Sequence, residues 1–158
     1  MKKYRVGFGF DVHKTSRKKR DLVLAGVVIP CSFSLAAVSD GDVVLHAVAD
    51  AICGATCLGD IGDHFPPRAK KSKNIDSKDI VKFILKKISK KHKISNIDLI
   101  IVAEKPRLVK HKKAMLSSLK KIFAISAVNV KIKSKEGLDI LGGKNSLACL
   151  AVASVVKL

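Results

Sequence analysis

Asp11, Val12 and His13 place a carboxylate and an imidazole two residues apart, at the end of an apolar run that reads as a strand. At that spacing both side chains leave the same side of the chain. A carboxylate oxygen and an imidazole nitrogen suit a borderline cation such as Zn2+. His46 is a third candidate, in the first turn of an expected helix. A lone histidine there is more often a buried or surface residue than a ligand. Three together leave a fourth coordination position open, the arrangement of catalytic and not of structural zinc. His64 lies in a Gly/Asp/Pro loop and could approach such a site. His92 and His111 are expected on solvated, Lys-rich helical faces.

The elements that must position these residues follow from periodicity. Tyr4 to Phe10 and Asp21 to Ile29 read as strands, separated by the basic loop Lys14 to Arg20. Val43 to Leu58 is apolar all round and reads as a buried helix, with Asp40 and Asp42 as capping residues before it. Gly59 to Asn74 is loop, with Pro66-Pro67 and the basic run Arg68 to Lys71. Asp76 or Ser77 caps a second helix to about Lys91, on which Ile80, Val81, Ile84, Leu85 and Ile88 recur at helical spacing. Ile97 to Glu104 is expected as a strand, Leu108 to Phe123 as a helix, and Ala127 to Lys133 as a strand burying Val128, Val130 and Ile132. Asp139 to Asn145 is a Gly-containing loop, and Ser146 to Val156 a last apolar strand. The alternation implies an α/β (α+β) sandwich over residues 1–158, one domain with a mixed sheet of four to five strands and helices stacked on one face.

Composition narrows the function. A chain of 158 residues, 47% apolar and 28% charged, is globular and can bury a core without staples. The longest apolar run, near Leu147 to Val156, is too short to span a bilayer, and Met1 to Val6, which runs into a strand-like segment, does not read as a secretory signal. Cys31, Cys53, Cys57 and Cys149 show no paired spacing, and Cys53 with Cys57 would suit two buried thiols on one helical face, so a reducing, cytoplasmic setting is expected. The formal net charge is +18, but only five of the 31 basic residues are Arg and there is no Trp. Base reading and strand stacking rely on Arg and exposed aromatics, so nucleic acid is not the expected partner. Anionic small molecules are the more economical one.

Three motifs carry a resemblance over essentially the whole chain: Gly7-Phe8-Gly9-Phe10-Asp11-Val12-His13, Ser39-Asp40-Gly41-Asp42-Val43-Val44-Leu45-His46, and Gly59-Asp60-Ile61-Gly62-Asp63-His64-Phe65-Pro66. In that order and spacing they resemble the 2-C-methyl-D-erythritol 2,4-cyclodiphosphate synthase family of the non-mevalonate isoprenoid pathway. The resemblance implies a substrate, 4-diphosphocytidyl-2-C-methyl-D-erythritol 2-phosphate, and two products, the cyclic diphosphate and CMP. It implies Zn2+ on Asp11, His13 and His46, facing the β-phosphate, with Val12 beside them. A second ion, Mg2+ or Mn2+, would bridge the α- and β-phosphates and bind Glu136. Asp60, Ile61 and Gly62 match the segment that holds the erythritol hydroxyls, and Phe65 to Ala69 the adjoining loop. Ala103, Lys105, Pro106, Arg107, Leu108 and Val109 match the backbone pocket that reads cytosine. Ile132, Lys133, Ser134, Lys135 and Glu136 continue around the nucleotide and phosphates. The family forms homotrimers with sites between subunits.

Two places depart from the family pattern. Val38 stands where a His usually precedes Ser-Asp-Gly-Asp, and Ser134 where a Thr is usual; the resemblance implies that both positions serve the transition state. Ser134 keeps the hydroxyl, whereas Val38 keeps only its backbone N–H, which with that of Ser39 can receive phosphate oxygens ahead of the helix. Near the three-fold axis a Phe, an Arg and a Glu become Ile140, Gly143 and Asn145. A cavity there accepts isoprenoid diphosphates in the family; here Lys144 is the nearest basic residue in sequence. These departures keep a second reading open: a zinc-binding trimer that has lost turnover and binds CDP-type nucleotides or a protein partner.

Overall fold

Period-two alternation along the first strand sets where the long apolar helix can lie. The computed structural model describes residues 3–18 and 20–158; Lys19 of the expected basic loop lies outside them. In chain order the elements are β1 (Tyr4–Ser16), β2 (Leu22–Leu24), β3 (Val27–Ile29), β4 (Ser34–Leu35), α1 (Val43–Thr56), α2 (Ile61–His64), α3 (Ser77–Ile88), β5 (His92–Val102), α4 (Lys112–Phe123), β6 (Val128–Lys133) and β7 (Ser146–Lys157). Five strands form one sheet in the order β4-β1-β7-β5-β6, and β2 with β3 forms a separate hairpin. β7 runs antiparallel to both β1 and β5, while β5 and β6 are parallel, so the sheet is mixed.

On β1, Gly7 and Gly9 are buried beneath α1. A Cβ at Gly9 would lie 2.0 Å from the Ala47 carbonyl oxygen, and one at Gly7 2.0 Å from that of Ala51. Only glycine admits the helix backbone this close. The same face of β7 supplies Leu147, Cys149, Ala151, Ala153 and Val155, all buried. α1 is buried along nearly its whole length because it lies between this sheet and α3, which explains its all-round apolarity.

The helix begins at Asp42, whose carboxylate accepts the backbone N–H groups of Val44 and Leu45 at 3.1 and 3.0 Å. It also accepts those of Ala25 and Gly26 at 2.9 and 2.6 Å. One buried side chain therefore caps α1 and clamps the turn between β2 and β3.

That turn corrects the expectation of a single strand over Asp21 to Ile29. Ala25 and Gly26 both take positive φ, 55° and 72°, and fold the segment into a two-residue hairpin. The Leu108 to Phe123 helix is also divided, into a 3-10 turn at Leu108–His111 and α4. α1 stops at Thr56 because Cys57 adopts a left-handed conformation, φ 56°. Cys53 is buried but Cys57 is exposed, against the expectation of two buried thiols on one helical face, and all four cysteines are free. His92 opens β5 and does not sit on a helix, and His111 lies half-buried in the 3-10 turn. Among the described residues no helix is long and apolar enough to cross a membrane.

Candidate active site

Asp11 and His13 continue the odd-numbered face of β1 that Gly7 and Gly9 begin, so both turn toward α1. His46 comes from the first turn of α1, where Asp42 fixes the helix start. Asp11 Oδ2 lies 2.9 Å from His46 Nδ1 and 3.0 Å from His13 Nε2. The three potential ligand atoms are all within 4.8 Å of one another. His13 Nε2 is buried and makes no well-directed hydrogen bond despite its nearness to the carboxylate. An orphaned imidazole nitrogen, a second imidazole nitrogen and a carboxylate oxygen fit a divalent cation shared among them.

The ring of His46 is oriented from behind. Its Nε2 is 2.9 Å from Ser77 Oγ and 3.3 Å from Ser39 Oγ. The Ser77 hydroxyl in turn donates to Asp40, which also accepts the Ser77 backbone N–H at 3.0 Å. A cation held on Nδ1 would leave the proton on Nε2, where the Ser77 hydroxyl oxygen would accept it. Sequence reasoning placed Asp40 and Ser77 only as caps. Their part in the site depends on α3 packing against α1, for which no local pattern exists.

The charges follow. Burial would raise the Asp11 carboxyl, but the two adjacent imidazoles hold it well below the usual carboxylate range. Burial pushes His46 down, while Asp11, with Asp42 and Asp40, draws it above its ordinary value.

A cavity of about 210 Å³ opens over the triad, lined by Asp11, His13, His46, Val38, Ser39, Ile61, Gly62 and Phe65 among others. Eight predicted site residues thus meet in one place. Among the described residues the backbone N–H groups of Val38 and Ser39 have no protein acceptor. Asp60 is exposed and caps α2 through a reciprocal box with Asp63. The Ile61 N–H donates to Asp50 at 2.8 Å, which fastens that short helix to α1. Ala69 lines the neighbouring cavity. His64 turns away, its Nε2 3.0 Å from the Leu58 carbonyl oxygen.

The remaining predicted residues assemble elsewhere. Segments 103–109 and 132–136 follow the parallel strands β5 and β6 and bond to each other: Ala103 N–H donates to Lys133 O at 3.0 Å, and Lys135 N–H to Glu104 Oε1 at 2.5 Å. The Lys105-Pro106 peptide bond is cis. The Ser134 hydroxyl donates to Glu136, whose exposed carboxylate stands on a turn with φ 52°. None of these residues lines the cavity over the triad. Register explains the gap: Val12, Ala148, Val102 and Lys133 lie in one row across β1, β7, β5 and β6, so two strand spacings, about 10 Å, separate Val12 from Val102. Ile140 is exposed in the 137–145 loop, held from beneath by the buried Lys135 ammonium, which donates to Ser146 Oγ at 2.6 Å and to Gly143 O.

The sequence model of the YgbB family matches residues 4–156, a span that contains the triad and both of the strand-end segments. The chain belongs to the YgbB family. A 2-C-methyl-D-erythritol 2,4-cyclodiphosphate synthase from Francisella philomiragia subsp. philomiragia is 44% identical over 149 residues, 92% of this chain and 93% of the relative. The bifunctional IspDF of Campylobacter jejuni superposes with a TM-score of 0.93 at 35% identity; the match covers all of this chain, which spans 43% of that longer one. A cyclodiphosphate synthase in a CDP-bound form superposes with a TM-score of 0.86 at 29% identity, over 94% of this chain and 98% of the other.

Proposed function

We propose that the chain works in isoprenoid precursor biosynthesis, converting 4-diphosphocytidyl-2-C-methyl-D-erythritol 2-phosphate to 2-C-methyl-D-erythritol 2,4-cyclodiphosphate and CMP. The observation that carries this is the convergence of Asp11, His13 and His46 beneath a cavity lined by Val38 and Ser39, whose N–H groups have no acceptor among the described residues. When bound, Zn2+ on the triad and Mg2+ or Mn2+ on Glu136 supply Lewis-acid charge for the diphosphate.

The residues of the chain do the positioning. An oxygen of the 2-phosphate attacks the β-phosphorus of the same molecule; the bond to the α-phosphate oxygen breaks, and CMP leaves with the electron pair. No general base is required, because the nucleophilic phosphate is already ionised at neutral pH. Alignment replaces a bimolecular encounter. The Val38 and Ser39 N–H groups hold phosphate oxygens, while Ile61, Gly62 and Phe65 bound the erythritol and limit water, which would divert the reaction to hydrolysis. The Ser134 hydroxyl and Lys133 neutralise charge on the diphosphate, and Ala103 to Val109 read cytosine through backbone groups.

The two half-sites support a homotrimer with active sites between subunits. The face of the sheet opposite α1 exposes Tyr4, Val6, Phe8 and Phe10 at 62, 67, 61 and 41%, with Val152 beside Phe8 in register. An apolar sheet face of this extent is a protein-protein surface. A cytoplasmic setting suits the soluble substrate and the free thiols.

Release of CMP from the cytidyl substrate, with Zn2+ and Mg2+ supplied, tests the reading. Folded, zinc-loaded protein that yields no CMP and no cyclic diphosphate overturns it.

A further inference from the structure

A second cavity, of about 620 Å³, adjoins the one over the triad, and the two share Ala37, Val38 and Pro67. Its lining carries Lys18, Arg20, Arg68, Lys70 and Lys73 and no carboxylate. Among the described residues none of these five cations is in an ion pair. Five like charges around one concavity repel one another, and the low-dielectric walls focus their field into the opening. An anion entering the concavity would meet positive charge from several sides.

Arg20 belongs to the scaffold. Its Nη1 donates to Ser39 O at 2.8 Å and its Nη2 to Leu35 O at 2.6 Å, tying down the segment that presents Val38. Its Nε–H is buried without an acceptor. The other four side chains are exposed. Between the two cavities stands Val38, 44% exposed, with methyl groups in place of the imidazole of the family pattern.

We propose that this cationic cavity seats the phosphomonoester end of the substrate against Val38, supplying across the loop the positive charge and donors that an imidazole at position 38 would supply directly. The inference rests on the synthase reading and deepens it. The ligand class is a phosphate monoester dianion on a small polyol. Val38 leaves the mouth sterically open, its backbone N–H and that of Ser39 serve as fixed donors, and the flexible Lys70 and Lys73 ammonium groups close on the phosphate from the far side.

The test separates the monoester from the rest of the ligand. Zinc-loaded protein, with magnesium withheld, is titrated calorimetrically with 4-diphosphocytidyl-2-C-methyl-D-erythritol carrying or lacking the 2-phosphate. The wild type should bind the phosphorylated form about tenfold more tightly. The combined Arg68→Gln, Lys70→Gln and Lys73→Gln variant should bring that ratio close to one, with zinc content and Tm unchanged. Adding Val38→His to this variant should restore much of the ratio, whereas Val38→His alone should change it little, a non-additivity expected of groups sharing one ligand. A control with Lys86, Lys87 and Lys90 changed to Gln removes the same charge elsewhere and should leave the ratio intact. An unchanged ratio in the first variant, an equal fall in the control, or no preference in the wild type overturns the seat. CMP release by the wild type reports separately on the synthase reading, so an active enzyme that keeps its ratio in the variant defeats this inference alone.

Discussion

His46 Nε2 lies 2.9 Å from Ser77 Oγ, so the orientation of an α1 imidazole is set by the first residue of α3. Ser77 passes the bond to Asp40, and this relay fixes which ring nitrogen faces Asp11 and His13. Ser77→Ala removes the acceptor without touching a ligand atom. Zinc affinity should fall about tenfold, the usual scale for a lost outer partner, with the fold retained. Competition with a chromophoric chelator measures it, and an unchanged affinity would show that Ser39 alone orients the ring.

The charge state of the triad sets a pH dependence. Asp11 titrates below its ordinary 3.8, so its stabilising contribution is present above that value and is lost as pH falls through the lowered one. His46 titrates above its ordinary 6.5, so its contribution is complete below 6.5 and is lost as pH rises through the raised value. Metal-free protein therefore gains most from this pair between 3.8 and 6.5. Zinc needs the deprotonated imidazoles and reverses the trend above that window. The zinc-induced rise in Tm should be larger near about pH 8 than near about pH 5.5. Equal rises would mean that His46 is not a ligand.

Phe8 is 61% exposed on the apolar sheet face and pairs in register with Val152. In the proposed trimer this face is the contact between subunits, so Phe8→Glu would bury a charge there. The solution mass should drop from about three times 17.0 kDa toward a single chain, and CMP release should fall with it. Light scattering reads the mass; an intact assembly would place the contact elsewhere.

Gly9 leaves no room for a side chain, since a Cβ there meets Ala47 O at 2.0 Å and Ala51 N at 2.6 Å. Both are helix backbone and cannot swing away. Gly9→Val should cost about 3 kcal/mol or more, at the upper end of overpacking effects, and should displace His46 relative to Asp11. Urea unfolding followed alongside zinc affinity checks both consequences, and a loss of stability under about 1 kcal/mol would contradict the close packing.

The element order, the shared face of Asp11 and His13, and the helix start before His46 were all legible locally. They follow from side-chain periodicity and capping, which act over a few residues. The hairpin at Ala25-Gly26 was not, because the clamp that makes two positive φ values worthwhile is Asp42, 16 and 17 residues away. Nor was the exposure of Cys57, which follows from the left-handed residue that ends α1.

The residue types alone determined that this chain could offer a carboxylate and two imidazoles to one cation, and the order of its motifs pointed to the family. Tertiary structure decided that the three ligand atoms converge, that Ser77 and Asp40 stand behind them, and that five cations gather beyond Val38. Those relationships join segments tens of residues apart. Only the packing of α1 on Gly7 and Gly9, and of α3 on α1, brings them within hydrogen-bond reach.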